Sequence, residues 1–339
     1  MLMSLPGTGR AADTGAPSPS GGALPPTFAV VVEHLARRFG ARPILVDVSF
    51  RVPAGTALGI AGANGSGKTV LLRLLASLDR PSGGRASIHG FDTVQRALAV
   101  RSRVGYVSEE PMLYDGLSAD QYLQFVGRAR GLGKQVRSVS VDTLLQVVGL
   151  DDRRSRDIRL LSPGERRRLA LAGALVHEPD VLLLDDPLRG LDGYARLEQL
   201  EVLRELRRLG TTAVVAATRP EDLLDFSDQL AVLRAGELVW TGTAADAAAL
   251  AEPEHADAVR ARVEILDNLD AALALLDQCR DVAELDVDDD RRTVWFLYRG
   301  DRDAFAALLP QLVRAGCVVA HFGVEQRSPA TAVANLLRS

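Results

Sequence analysis

Two hydrophobic patterns alternate along the chain: short runs that are rich in apolar residues, and longer stretches in which apolar residues recur at helical spacing. The short runs predict strands in FAVVVE, VSFRV, ALGIA, RASIHG, VGYV, VLLLD and AVVAA, and AVLRAGELVW predicts a hairpin. The helical spacing is clearest in KTVLLRLLASL, at Val70, Leu71, Leu74, Leu75 and Leu78, and it recurs over 118–150, 162–177 and 194–209. Strands that alternate with helices predict an α/β fold with a doubly wound parallel sheet.

The pattern changes at both ends of this α/β region, which we place at residues 28–245. Residues 1–27 are mostly Gly, Pro, Ser and Ala, with too little apolar surface to offset the entropy of ordering, so they are predicted to be disordered. The sequence EPEHADA, which begins at Glu252, is typical of a linker. Helix, strand, strand, helix, strand and helix patterns then follow and predict a small α+β domain over 253–339.

Composition excludes several classes of protein. The net charge of −4 gives no electrostatic reason to bind nucleic acid, and no apolar run approaches the roughly 18 residues that cross a bilayer. The first residues lack the charged and apolar regions of a secretion signal. Cys279 and Cys317 lie far apart, which argues against a disulfide framework or a zinc cluster. These features predict a cytoplasmic protein.

The strongest chemical signal is a glycine-rich loop between the strand ALGIA and the helix that follows it. Its residues are Gly62, Ala63, Asn64, Gly65, Ser66, Gly67, Lys68 and Thr69, which match the pattern G-x4-G-K-[ST]. Glycines let backbone N–H groups curl around a phosphate, and the helix N-terminus adds a positive dipole. The lysine contacts the outer phosphates and the threonine hydroxyl binds Mg²⁺. The loop predicts nucleotide binding.

A carboxylate follows the most apolar strand of the chain. Asp185 ends the run VLLLD, and ligands of open α/β sheets bind at the carboxyl ends of the strands. Together with Thr69 it is predicted to hold Mg²⁺; the alternative is an aspartate that only caps a loop.

These motifs make residues 28–245 similar to the ATP-binding subunit of an ABC transporter. LSPGE (161–165) resembles the family signature, VLLLDDP the Walker B stretch, and RGLD, which ends at Asp192, the D-loop. VSEEPMLY (107–114) stands in the place of the Q-loop and ATRPEDL (217–223) in that of the H-loop. The resemblance implies a P-loop core with a helical subdomain, ATP and Mg²⁺ as cofactors, and Phe39 stacked on the adenine; a core aromatic is the alternative for Phe39.

Three residues depart from the family pattern at its catalytic positions. Asp186 replaces the glutamate that serves as general base, which withdraws the carboxylate by about 1.5 Å from the attacking water. Arg219 replaces the H-loop histidine; it is permanently charged and cannot shuttle a proton. Glu109 replaces the Q-loop glutamine and can still ligate Mg²⁺. The site is therefore predicted to bind ATP and to hydrolyse it poorly.

The signature stretch has a structural and a functional interpretation. Ser162, Pro163 and Glu165 form a capping box with proline at the first helical position, which predicts a helix start. By the resemblance, Ser162, Gly164, Glu165 and the D-loop Asp192 also contribute to nucleotide binding, with the helix N-terminus facing ATP held by the opposite subunit.

By resemblance, the chain's partners are separate transmembrane transporter subunits and a second ATP-binding subunit, at the inner face of the cell membrane. Residues 253–339 resemble the extension of type-2 exporter ATPases; a regulatory ligand-binding module is the alternative. We expect an export subunit with an impaired hydrolysis site, paired in a heterodimer. A self-paired, slowly hydrolysing ATPase and a purely regulatory ATP-binding protein are the alternatives.

Overall fold

The computed structural model describes residues 28–224, 226–250, 259–288, 292–324 and 329–338. The segment 1–27 and the linker EPEHADA lie outside the described residues. The chain divides into two compact units: one runs to Ala244 and takes in the residues from Val333 onward, and the other runs from Ala245 to Ala332.

The described part of the first unit contains ten strands. They are β1 (Phe28–Phe39), β2 (Arg42–Pro53), β3 (Ala57–Ala61), β4 (Gly83–Ile88), β5 (Phe91–Asp92), β6 (Val104–Val107), β7 (Val181–Asp185), β8 (Thr212–Ala217), β9 (Gln229–Arg234) and β10 (Glu237–Gly242). Its helices are α1 (Lys68–Leu75), α2 (Ala97–Arg101), α3 (Ala119–Ala129), α4 (Lys134–Val147), α5 (Pro163–Leu175), α6 (Gly193–Arg208) and α7 (Glu221–Leu224). Short 3₁₀ turns lie at Asp151–Arg153 and Ile158–Leu160, and α8 (Ala244–Leu250) leads into the second unit.

Two sheets organise this unit. A six-stranded sheet has the order β10-β9-β3-β8-β7-β6, and all its neighbouring strands are parallel except the hairpin of β9 and β10. An antiparallel sheet has the order β2-β1-β4-β5. Residues of β3 and β7 are buried throughout, as expected for central strands of a parallel sheet that is covered on both faces. The predicted α/β class is confirmed.

The main core lies between the two sheets and α1. Leu71, Leu72, Leu74 and Leu75 of α1 are fully buried and belong to one cluster with apolar residues of both sheets. Leu78, which the spacing places on the same helix, lies beyond the end of α1 and is 47% exposed. The helical position predicted for Leu78 is therefore wrong, because α1 ends at Leu75.

The helical stretch predicted over 118–150 forms two helices rather than one. Between α3 and α4 the chain turns at Gly131, whose φ of +83° suits glycine, and α4 begins after Gly133. Ser118 caps α3 in a capping box with Gln121.

Among the described residues, the second unit contains an antiparallel sheet with two helices, besides most of α8 and the start of the last helix. Its strands are β11 (Val259–Asp267), β12 (Val282–Val287), β13 (Thr293–Tyr298) and β14 (Val318–Val324), in the order β12-β13-β11-β14; its helices are α9 (Leu269–Asp277) and α10 (Arg302–Arg314). This βαββαβ order is that of a ferredoxin-like split βαβ motif. Val263, Phe296, Leu276 and Leu312 belong to a core of its own. The last helix, α11 (Pro329–Arg338), spans the boundary between the two units in the chain.

Candidate functional site

The glycine-rich loop joins the end of β3 to the start of α1. Gly67, the residue before α1, has a φ of +106°, and a Cβ there would lie 2.9 Å from the carbonyl oxygen of Ile44. A Cβ on Gly62 would lie 2.8 Å from the carbonyl oxygen of Leu233. Glycine is therefore required at both positions by backbone contacts. No side chain caps the first turn of α1, so its N–H groups are available to an anion.

Lys68 lies beneath this loop. Its side chain is buried, and Nζ donates to the carbonyl oxygens of Gly62 at 2.7 Å and Ala63 at 3.0 Å. Burial lowers the pKa of the Lys68 ammonium, and the nearby carboxylates of Asp186 and Asp185 oppose that shift. These two hydrogen bonds hold the Lys68 side chain against the glycine-rich loop.

Asp185 ends β7 with its side chain almost completely buried. Burial raises the pKa of its carboxyl group, a hydrogen bond from Thr69 lowers it, and the neighbouring Glu109 and Asp186 raise it further. Its Oδ2 atom is buried without a hydrogen-bond partner among the described residues. A buried carboxylate oxygen beside a threonine hydroxyl is a donor set that suits a hard divalent cation such as Mg²⁺.

These groups line one open cavity of about 290 Å³, which we call the phosphate-loop cavity. Of the predicted site residues, the cavity brings together Asn64, Gly65, Gly67, Lys68, Thr69, Glu109, Asp185 and Asp186. Its lining also includes Arg42, Ile44, Val70 and Arg189, which sequence reasoning did not assign to the site. Three other predicted residues of the glycine-rich loop, Gly62, Ala63 and Ser66, do not line the cavity.

Asp186 is held by its own neighbours. The residue has a φ of +48°, and its side chain is buried. The hydroxyl of Thr218 donates to Oδ2 of Asp186 at 2.7 Å, and the Asp186 N–H donates to the carbonyl oxygen of Ala216 at 2.8 Å. Thr218 follows β8 directly, and its contact with Asp186 joins two parallel strands in space, so no local sequence signal identifies it.

The arginine at the H-loop position does not line the cavity. Arg219 hydrogen-bonds through Nε and Nη2 to the two carboxylate oxygens of Asp222, each at 3.3 Å. Asp222 is buried and also forms an ion pair with Arg196 of α6. In this structure Arg219 is therefore directed to α7 rather than toward Asp186.

Glu109, at the Q-loop position, forms an ion pair with Arg189 across the mouth of the cavity. Both side chains are partly exposed. The carboxylate predicted to ligate Mg²⁺ thus has a cationic partner from the segment after β7. Arg189 belongs to the D-loop-like stretch RGLD, in which only Asp192 was assigned a role from the sequence.

The remaining predicted residues lie outside the cavity lining. Ser162 caps α5 and Glu165 completes the predicted capping box, which is confirmed. A Cβ on Gly164 would lie 2.8 Å from the Cβ of Ala195 on α6, so this glycine permits close helix packing. Asp192 caps α6 by accepting a hydrogen bond from the Ala195 N–H. Phe39 is half exposed, with the Arg37 guanidinium 4.4 Å from its ring centroid.

Comparison with known proteins decides the family. A family model described as ABC transporter matches residues 45–189. The chain is 34% identical over 288 residues to the daunorubicin resistance ATP-binding protein DrrA3 of Streptomyces coeruleorubidus, covering 85% of this chain and 89% of that protein. The chain belongs to the family of ABC transporter ATP-binding proteins. The fold and family expected from the motifs are thereby confirmed.

Other relatives match this ABC protein over a shorter part of its length. The sulfate/thiosulfate import ATP-binding protein CysA of Mycobacterium tuberculosis (strain ATCC 25618 / H37Rv) is 38% identical over 221 residues, covering 65% of this chain and 63% of that protein. The solved structure of cbiO1 from Clostridium perfringens, part of the ABC transporter complex cbiONQ, aligns with a TM-score of 0.59 at 26% identity, covering 64% of this chain and 89% of that one.

As a family member, the chain is an ATP-binding subunit of an ABC transporter, and such subunits bind ATP, dimerise and work with transmembrane subunits. Within the described residues, none of the helices combines the length and the apolar character needed to cross a bilayer.

Proposed function

We propose that this chain is the ATP-binding subunit of an ABC export complex, that it binds Mg-ATP at a site with impaired hydrolysis, and that it pairs with a catalytically competent second subunit. Export is supported by the match to DrrA3, named for daunorubicin resistance, which extends over most of both chains. The match to the import protein CysA covers a smaller share of each chain. Separate transmembrane subunits at the inner face of the cell membrane complete the proposed complex.

The observation that carries the impaired site is the position of Asp186. It is one methylene shorter than the glutamate expected there, and its Oδ2 accepts a hydrogen bond from Thr218 at 2.7 Å. Thr218 therefore draws one carboxylate oxygen toward β8, away from a water that would attack the terminal phosphate. Arg219 is engaged by Asp222, and Glu109 by Arg189, so neither compensates.

The residues that bind nucleotide remain complete. Lys68 and the uncapped start of α1 fit the phosphates, and Thr69 with the unpartnered Oδ2 of Asp185 fits Mg²⁺. When bound, Mg²⁺ would neutralise charge on the phosphates. The Glu109 carboxylate would become a third oxygen ligand of Mg²⁺ if its ion pair with Arg189 were broken. Binding without turnover follows from an intact phosphate loop beside an altered base.

A self-paired, slowly hydrolysing ATPase is the second candidate. It is favoured by one observation: Asp186 still lines the same cavity as Lys68, so a water between its carboxylate and the nucleotide has room. In that case the chain would turn over ATP without a second type of subunit.

The first test is phosphate release by the purified chain in Mg-ATP, followed by identification of the bound nucleotide. We expect ATP to remain bound, with turnover about 100-fold or more below the roughly 10 s⁻¹ typical of enzymes, because general-base catalysis is lost. Steady turnover by the chain alone would contradict the heterodimer and favour the self-paired ATPase.

The second test restores the family residues. Asp186→Glu alone should raise turnover by less than about threefold, since Arg219 and Glu109 are unchanged. The triple variant Asp186→Glu, Arg219→His, Glu109→Gln should raise it by about 100-fold. A large gain from Asp186→Glu alone would contradict the argument that three positions are impaired.

A further inference from the structure

Three basic side chains line the phosphate-loop cavity, those of Arg42, Lys68 and Arg189, and the last two differ in what they bind. Lys68 is buried and donates to two backbone carbonyl oxygens of the loop. Arg189 lines the cavity with its side chain 48% exposed, and it forms an ion pair with the carboxylate of Glu109. Arg189 thus carries its positive charge on a partly exposed side chain in the lining of the cavity.

The backbone fixes where Arg189 stands. Its N–H donates to the carbonyl oxygen of Asp186 at 3.1 Å, which closes a turn directly after β7. The next residue, Gly190, has a φ of +70°, so the chain reverses at this point. The turn therefore keeps Arg189 beside Asp185 and Asp186, at the same edge of the sheet as the glycine-rich loop.

The negative charge of the cavity favours a cation beside the bound phosphates. Asp185, Asp186 and Glu109 all line it, and the added triphosphate carries several more negative charges. A guanidinium is always charged and binds phosphate oxygens through two parallel N–H donors. Its present contact with Glu109 is a partly exposed ion pair, which contributes little and is readily exchanged. Arg219 does not serve here, because Asp222 holds it outside the cavity.

We propose that Arg189 binds the terminal phosphate of ATP, leaving Glu109 to do so, and thereby makes this site prefer ATP to ADP. The proposal rests on the proposed function, in that the cavity must bind ATP. Exchange of partners also frees the Glu109 carboxylate for the cation that accompanies the nucleotide. Arg189 would then supply the positive charge at the terminal phosphate that Arg219, held by Asp222, does not supply.

The test compares the dissociation constants of a non-hydrolysable ATP analogue and of ADP, both with Mg²⁺, for the purified full-length chain. Arg189→Ala should weaken binding of the ATP analogue about tenfold and change ADP binding less than twofold, because only ATP has the third phosphate. Arg189→Lys, which keeps the charge but loses the bidentate geometry, should give an intermediate loss. Far-UV circular dichroism establishes that each variant is folded.

Two further variants separate the proposal from simpler explanations. Arg208→Ala removes an arginine from an exposed ion pair with Glu205 outside the cavity, and should leave both constants unchanged. Arg189→Ala with Glu109→Gln removes the unpaired carboxylate as well, and binding of the ATP analogue should stay weak. If that double variant restores it, or if ADP binding falls by the same factor, the proposal is overturned. A wild-type chain that binds neither nucleotide would instead overturn the proposed function.

Discussion

Gly164 shows at the scale of single residues that a motif position can be required by packing within one chain. The family pattern assigns the signature glycine to nucleotide binding, yet in this chain its missing Cβ also lets α5 approach α6. A Cβ at position 164 would lie 2.8 Å from the Cβ of Ala195, a short side chain that cannot rotate away. Loss of activity on mutation of this glycine therefore does not by itself demonstrate contact with ATP.

Gly164→Ala should lower the free energy of unfolding by about 1–3 kcal/mol, because it overpacks the contact between α5 and α6. Urea denaturation measures this change. Adding Ala195→Gly should relieve the overpacking and so restore the stability lost through it. The glycine within α6 should itself lower the free energy of unfolding by about 1 kcal/mol. Additive losses in the double variant would show that the two residues do not interact in the folded chain.

At the scale of elements, Asp222 joins α7 to α6. Its buried carboxylate receives the guanidinium groups of Arg196 from α6 and of Arg219 from the chain just before α7. Arg196 is itself largely covered, whereas Arg219 is about half exposed. A four-residue helix has little stability of its own, so this carboxylate contributes to holding the H-loop segment in place.

Asp222→Asn should lower the free energy of unfolding by about 2 kcal/mol, since it removes charge-assisted hydrogen bonds from a buried site. Chemical denaturation at neutral pH is the measurement. The matched control is Glu221→Gln at the neighbouring position, whose exposed carboxylate lies 3.8 Å from Arg219 and should contribute less than about 0.5 kcal/mol. Equal effects of the two substitutions would contradict the role given to Asp222.

At the scale of the whole molecule, the two units have separate cores. The phosphate-loop cavity lies in the first unit, and its lining comes from the ends of β3, β6 and β7 and from their neighbours. The sequence has two tryptophans; Trp240 lies on β10 in the first unit and Trp295 on β13 in the second. Their fluorescence offers one probe for each unit.

Mg-ATP should stabilise the first unit selectively, by about 2.7 kcal/mol at a ligand concentration 100 times the dissociation constant. Thermal or urea unfolding of Trp295→Phe follows the first unit through Trp240, and Trp240→Phe follows the second through Trp295. We expect the nucleotide to shift the Trp240 transition more. Equal shifts would show that the two units unfold as one cooperative unit.

The sequence by itself determined the elements whose signals are local. Three signals depend on residues close together in the chain: the glycine-rich loop, the apolar run VLLL that begins β7, and the capping box of α5. Phosphate cradling, burial on both faces and helix capping are short-range requirements. The α/β class followed from the order of strands and helices, and the family followed from the resemblance of the motifs to those of ABC ATP-binding subunits. Even the end of α1 and the break between α3 and α4 needed the structure, since propensity alone does not fix helix ends.

Only the tertiary structure decided which side chains meet at the cavity. Thr218 contacts Asp186 because β7 and β8 are neighbours in the sheet, and Arg189 contacts Glu109 because the segments after β7 and β6 lie side by side. Arg219 is directed to Asp222 by an ion pair that the H-loop pattern does not contain. Ion pairs and hydrogen bonds between distant residues depend on strand order, which no local pattern encodes. These side-chain contacts could therefore not be predicted from the sequence.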